Sequence, residues 1–242
     1  MALVFIHGWS CDQTFWSEQV PAFAGEHTVV TIDLAGHGKS GTNREAWTVG
    51  SLPADVVAVV EHLGLEKVIL IGHSMGGPVA LGAAALLPGK VVGVVGVDTL
   101  HNADFKWNPE QFAGWLAAWD EDFAGTCKQF VHSMFVAGED PQIADATENA
   151  MCDADPSIAV SLMRDFPNAD FPALFRGAGA PIRLLNAPAV PTNVEGNRQY
   201  APDFDAVVME GVGYFPMLTR PEEFNHKLAE MVAGLLTGGG QG

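Results

Sequence analysis

Val68-Ile69-Leu70-Ile71-Gly72-His73-Ser74-Met75-Gly76-Gly77-Pro78-Val79-Ala80-Leu81 is the stretch that decides the fold of this chain. Its first four residues are apolar and mostly β-branched, the composition and length of a buried strand. From Pro78 to Leu87 the sequence is apolar almost throughout and reads as a buried helix. Gly72 and Gly76 bracket Ser74 in a G-x-S-x-G pattern at the join. A strand that passes directly into a helix forces the residue at the turn into a strained backbone conformation. Glycines flank it because a side chain there would collide with the neighbouring strand or helix. The new helix points its positive end at the serine, where negative charge on an oxygen would be favoured.

Working outward, apolar runs of strand length recur at Ala2–Ile6, Thr28–Ile32, Lys67–Ile71, Val91–Val97, Ile182–Leu185 and Ala206–Met209. Helical patterns lie between most of them: Pro53–Leu63, Met75–Leu87 and Pro221–Leu236, the last with proline in its first turn. Strands alternating with helices predict a mainly parallel sheet covered on both faces, an α/β fold. Ligands of such sheets bind outside the carboxyl ends of the strands. His7, Asp33, His37, Ser74, Asp98 and His101 all fall at those ends. From about residue 102 to 176 the alternation stops, and helical segments rich in Trp, Phe and Met take over. Inserted between two core strands, this region is expected to sit over the strand ends as a helical lid. Its aromatic stripe serves first as the lid's own core.

Bulk properties narrow the classes further. The 242 residues suit one domain with a modest insert, and 48% hydrophobic against 17% charged residues means a packed globular chain. A net charge of −17 argues against nucleic acid and anionic membrane surfaces as partners. Cys11, Cys127 and Cys152 are odd in number and scattered. They read as reduced thiols, and with no targeting segment in view the expected location is cytoplasmic. No pair of His or carboxylate residues has metal-ligand spacing, so no metal is expected. The tail, residues 238–242, is expected to be disordered.

Four motifs in order give the chain a family resemblance. His7-Gly8-Trp9 follows the first strand, and Asp33-Leu34-Ala35-Gly36-His37-Gly38-Lys39-Ser40 follows the second. The serine turn comes third. Gly211-Val212-Gly213-Tyr214-Phe215-Pro216-Met217 precedes the last helix at Pro221-Glu222-Glu223-Phe224. Together they resemble the α/β-hydrolase family over nearly the whole chain. The resemblance implies a sheet of about six strands, lacking the family's usual first two, with Thr28–Ile32 at an edge. It divides the chain into a core of residues 1–101 and 177–237 and a lid of residues 102–176. It also implies Ser74 as nucleophile, the N–H groups of Trp9 and Met75 as oxyanion donors, and no cofactor. Turn-bracing roles are expected for His7, Asp33 and His37, and packing for His73.

Two positions depart from the family's pattern. Tyr214 stands where the family has its catalytic histidine. The window expected to hold the acid, Asn186-Ala187-Pro188-Ala189-Val190-Pro191-Thr192, contains no carboxylate. Asp98 and His101 are the substitutes within reach of the strand ends, as a possible acid and base. The expected function is hydrolysis of a small, uncharged, apolar carboxylic ester or related acyl compound, by a monomer or homodimer with an unconventional triad. A catalytically retired relative that binds a small ligand or partner is the alternative, and a lyase or cofactor-free oxygenase on the same fold is a third class.

Overall fold

The computed structural model describes residues 1–238. Six strands form one parallel sheet: β1 (Ala2–Ile6), β2 (Thr28–Ile32), β3 (Val68–His73), β4 (Val91–Val97), β5 (Ile182–Asn186) and β6 (Phe204–Val208). Their order is β2-β1-β3-β4-β5-β6. The chain moves from β1 to one side for β2, then returns to the other side for β3 and everything after. That reversal opens a crevice between the ends of β1 and β3, the place where open α/β sheets bind ligands. β1, β3 and the carboxyl half of β4 are fully buried, as strands covered on both faces must be. β2 pairs only with β1 and stands at an edge, as expected.

Among the described residues, eleven α-helices accompany the sheet. They are α1 (Gln19–Phe23), α2 (Pro53–His62), α3 (Gly76–Leu86), α4 (Pro109–Glu121), α5 (Phe123–Ser133), α6 (Pro141–Cys152), α7 (Pro156–Asp165), α8 (Phe171–Gly177), α9 (Val194–Arg198), α10 (Pro216–Thr219) and α11 (Pro221–Gly238). Helices α4 to α8 lie between β4 and β5 and form the insert. Four of them begin with an aspartate or asparagine cap followed by proline in the first turn: Asn108, Asp140, Asp155 and Asp170. Each cap oxygen accepts a backbone N–H that the first turn leaves without a partner.

Several sequence expectations need correction. Strand β3 runs on to His73 because β4 continues beside it, with Gly72 opposite Gly96 and His73 opposite Val97. Strand β6 begins at Phe204 rather than Ala206, since buried Phe204 pairs with Ile182. Gly238, assigned to the tail, ends α11; the rest of that tail lies outside the described residues.

The thiols are not all reduced. Cys127 and Cys152 form a disulfide joining α5 to α6, and Cys11 alone is a free thiol. The two cysteines are 25 residues apart and meet because the helices pack side by side. No helix among the described residues is long and apolar enough to cross a membrane.

Candidate active site

The serine turn is built as its glycines require. Ser74 has φ +52°, a left-handed conformation that an L-residue adopts only under constraint. Its N–H donates to the Val97 carbonyl at 3.0 Å, and its own carbonyl accepts from the Gly77 N–H at 2.9 Å and the Thr99 hydroxyl at 2.7 Å. A Cβ on Gly72 would collide with the Gly76 carbonyl, and one on Gly76 with the Ile6 carbonyl. A Cβ on Gly8 would stand 3.1 Å from that of Ser74, so the loop after β1 presses directly against the serine. Among the described residues, the N–H groups of Trp9 and Met75 have no hydrogen-bond acceptor. Met75 is the first residue of the turn into α3, so its N–H lies at the positive end of that helix.

Ser74 opens into a pocket of about 140 Å³. The core contributes Gly8, Trp9, Cys11, His73, Met75, Tyr214 and Phe215 to its wall. The insert contributes Trp107, Phe112, Trp115, Phe130, Met134, Met151, Met163 and Phe166. The insert's aromatic stripe therefore does two jobs: Trp119 is buried in its interior, while Trp115 and Phe130 also face the pocket. Trp9 joins the two parts, its indole N–H donating to the Ala159 carbonyl of α7 at 2.8 Å. Among the described residues, no Lys, Arg, Asp or Glu lines this pocket.

The partner of Ser74 is Tyr214. The phenol oxygen lies 2.6 Å from Ser74 Oγ, a short hydroxyl pair. Burial raises the Tyr214 pKa well above its ordinary value, the negative charge of Asp98 adds to that, and the bond to Ser74 offsets part of it. The phenol is neutral at any physiological pH. Tyr214 is held from both sides of its backbone: its N–H donates to the Met134 carbonyl at 2.9 Å, and its carbonyl accepts from His73 Nε2 at 3.0 Å. The preceding residue, Gly213, donates its N–H to the Glu139 carboxylate at 2.8 Å.

The histidines fall into separate roles. His7 Nε2 accepts the Leu34 N–H at 3.0 Å, while Nδ1 donates to the Gly8 carbonyl at 2.8 Å. It braces two loops, as expected, and burial lowers its pKa to about 3. Burial likewise lowers His73 to about 4, and its Nδ1 has no partner among the described residues. Asp33 and His37 hold their own turn: Asp33 accepts the N–H groups of Gln13 and Lys39, and His37 bonds to Ala35. His101 and Asp98 do meet, Nε2 to Oδ1 at 3.2 Å. That pair does not extend to the serine: neither residue lines the Ser74 pocket, and Asp98 also accepts the Ala187 N–H. The substitute base is therefore not assembled.

In the window where an acid was sought, Asn186 is fully buried and bonds to both the N–H and the carbonyl of Thr99. It ties the ends of β4 and β5 together. Cys11 and Phe215 line the pocket without any signal in the sequence that they would. Nor did the sequence anticipate that His132 on α5 would meet Asp145 and Glu148 on α6, a grouping able to hold a metal ion. All three lie outside the Ser74 pocket, and Glu148 is already bonded to His132 at 2.6 Å and Lys128 at 3.2 Å.

The chain belongs to the alpha/beta hydrolase family, whose pattern it matches over residues 3–227. It is 39% identical over 98 residues to Epoxide hydrolase B of Mycobacterium tuberculosis, covering 39% of this chain and 28% of that protein. It is 40% identical over 89 residues to a dihydrolipoyllysine-residue acetyltransferase component of the acetoin cleaving system of Pseudomonas putida, covering 37% of this chain and 24% of that one. The matched stretches thus span less than a third of these relatives. Among solved structures, a thermophilic esterase from Thermogutta terrifontis superposes with a TM-score of 0.84 at 20% identity, over 97% of this chain and 90% of that one. The last likeness is one of fold.

Proposed function

We propose that this protein is a serine hydrolase of small, uncharged carboxylic esters or related acyl compounds, working through Ser74 without the usual histidine and acid. The observation that carries this reading is the Ser74–Tyr214 hydroxyl pair, 2.6 Å apart in the wall of an apolar pocket. The carbonyl carbon of the substrate meets Ser74 Oγ, and its oxygen turns toward the Trp9 and Met75 N–H groups. Each such donor is worth ~10²–10³ in rate, and the pair stabilises charge that develops only as the bond forms. The pocket is close in volume to engineered cavities of ~150 Å³ that take up benzene. An acyl group of that size fits, and the lack of a cation in the wall, with the chain's net charge of −17, disfavours an anionic one.

In this reading the insert, residues 102–176, acts as the lid, since it supplies about half the pocket wall. The disulfide between its helices argues for an oxidising compartment in place of the cytoplasm. A second reading has one observation in its favour. The neutral phenol at the family's histidine position suits a retired enzyme that binds a small carbonyl compound and does not turn it over.

A fluorophosphonate probe and p-nitrophenyl acetate, butyrate and octanoate separate the two. The esterase reading expects labelling and turnover that both vanish in Ser74→Ala, with acetate and butyrate preferred over octanoate. Equal rates in parent and Ser74→Ala, without labelling, would leave only the binding protein.

A further inference from the structure

We propose that Tyr214 is the proton carrier of this site, receiving the Ser74 hydroxyl proton on its oxygen while giving its own hydroxyl proton to the leaving group. The proposal rests on Ser74 acting as nucleophile. The geometry points to it because the Tyr214 oxygen is 2.6 Å from Ser74 Oγ and Tyr214 lines the pocket that holds the substrate. A hydroxyl both donates and accepts, so one oxygen can face both reacting atoms. Its placement is fixed by hydrogen bonds to Met134 and from His73, and by edge-on contacts of its ring with His73 and Phe215 at 5.1 and 5.4 Å.

The other candidates are engaged elsewhere. His73 uses Nε2 on the Tyr214 carbonyl, and its Nδ1 faces Gly8. His101 is bonded to Asp98, outside the pocket wall. Cys11 lines the pocket, but burial raises its pKa well above the ordinary value and keeps it a thiol. A tyrosinate base is equally out of reach for the buried phenol. A carrier that passes one proton in as it passes another out never becomes an ion, and burial does not penalise it.

The steps balance. In acylation, Ser74 Oγ forms a bond to the carbonyl carbon, and the carbonyl electron pair moves onto the oxygen facing Trp9 and Met75. The Ser74 proton passes to Tyr214, and the Tyr214 proton passes to the departing alkoxide as its bond to carbon breaks. The products are acyl-Ser74 and an alcohol, with Tyr214 neutral again. In deacylation, water attacks the same carbon, its proton goes to Tyr214, and Tyr214 returns a proton to Ser74 Oγ. The sum is ester plus water giving acid plus alcohol.

The test is p-nitrophenyl acetate hydrolysis by the parent, Ser74→Ala and Tyr214→Phe, with a proton inventory of the parent in H₂O–D₂O mixtures. Tyr214→Phe is expected to lower kcat by about 100-fold or more while fluorophosphonate labelling of Ser74 remains detectable. Retention of more than about a third of kcat would remove the shuttle and leave Ser74 hydrolysis standing. Equal rates in parent and Ser74→Ala would remove hydrolysis itself, and the shuttle with it. A bowed inventory is the mark of two protons in flight, and a linear one overturns the proposal. The inventory needs only the parent, so it decides the matter even if the Phe variant folds poorly.

The pH profile is a third readout. His73, Cys11, Asp98 and Glu139 face the Tyr214 segment, and His101 faces Asp98. The profile of kcat from pH 6 to 9 is therefore measured in the parent and in His101→Gln. A flat profile in both is expected. An imidazole-like rise that persists in both would mean that a histidine is the base.

Discussion

The two hydroxyls of the site sit 2.6 Å apart but are held by different parts of the molecule. Ser74 is fixed by the sheet, through Val97 and Thr99 and by glycines that leave no room against β1 and α3. Tyr214 is fixed by the insert as well as by the sheet: Met134 at the end of α5 takes its N–H, Glu139 takes that of Gly213, and His73 of β3 bonds to its carbonyl. The first half is constrained at its backbone on both sides of the serine. The second sets a phenol against that serine. The serine, closed in by backbone of β1 and α3, is expected to tolerate less change than its partner.

A matched pair of glycine substitutions breaks or sharpens that contrast. A Cβ on Gly76 would strike the Ile6 carbonyl of β1, and one on Gly213 the Met134 carbonyl of the insert. Gly76→Ala is expected to lose at least about 4 kcal/mol of stability or fail to fold. Gly213→Ala should fold, label with fluorophosphonate, and turn over ester at least tenfold more slowly as Tyr214 moves away from Ser74. Denaturant melts together with probe labelling check both. Similar damage from the two variants would mean that the insert is as unyielding as the sheet.

Acid probes the histidines on the serine side. His7 and His73 are neutral in the folded chain, with values lowered by burial to about 3 and about 4 from an ordinary 6.5. Below pH 6.5 the unfolded chain binds protons that the folded chain refuses, so these groups stabilise the fold at neutral pH and lose that effect as pH falls. Each is expected to contribute a slope of about 1.4 kcal/mol per pH unit between pH 6.5 and 4. His7→Asn and His73→Asn should each flatten part of the slope in urea melts across that range. An unchanged slope in both would mean that other groups set the acid limit.

The insert has its own staple. Closing a loop of 25 residues, the Cys127–Cys152 disulfide is expected to contribute about 3.5 kcal/mol. The double variant Cys127→Ser/Cys152→Ser should show that loss in guanidinium melts. Because the bond joins α5 to α6, the helices that carry Met134 and Met151 into the pocket, ester turnover should fall more than fluorophosphonate labelling does. An equal fall in both would place the disulfide's effect on the whole fold.

How much of this was legible in the sequence follows the same division. Gly72, Ser74 and Gly76 announce a close approach of backbones, and a close approach has few solutions; strand, turn and helix could be read from fourteen residues. Tyr214 could be matched to the family's histidine position because motif order carries position, but nothing in its neighbours says that its oxygen would lie 2.6 Å from Ser74 Oγ. The disulfide was illegible because it depends on two helices of the insert packing in register. Asn186 looks like a strand end in a window searched for an acid, and its bonds to Thr99 exist only once β4 and β5 are side by side. Local geometry is written in adjacent residues, whereas tertiary pairing is not.

Trp9 belongs to both halves, which makes it the finest test of the division. Its backbone N–H has no acceptor among the described residues, while its indole N–H is bonded to the Ala159 carbonyl of the insert. Trp9→Phe keeps an aromatic ring in the pocket wall and removes that one hydrogen bond and part of the packing. A net loss of about 1–2 kcal/mol is expected in urea melts. The loop itself is closed by the Cys11 N–H on the Gly8 carbonyl and pressed against the serine through Gly8, both on the sheet side. The Trp9 N–H should therefore stay where it is, with kcat for p-nitrophenyl acetate within about threefold of the parent. A fall of a hundredfold or more, the size expected for a lost oxyanion donor, would mean that the insert positions the Trp9 N–H. Opening the insert would then dismantle the nucleophile's half of the site as well as the tyrosine's.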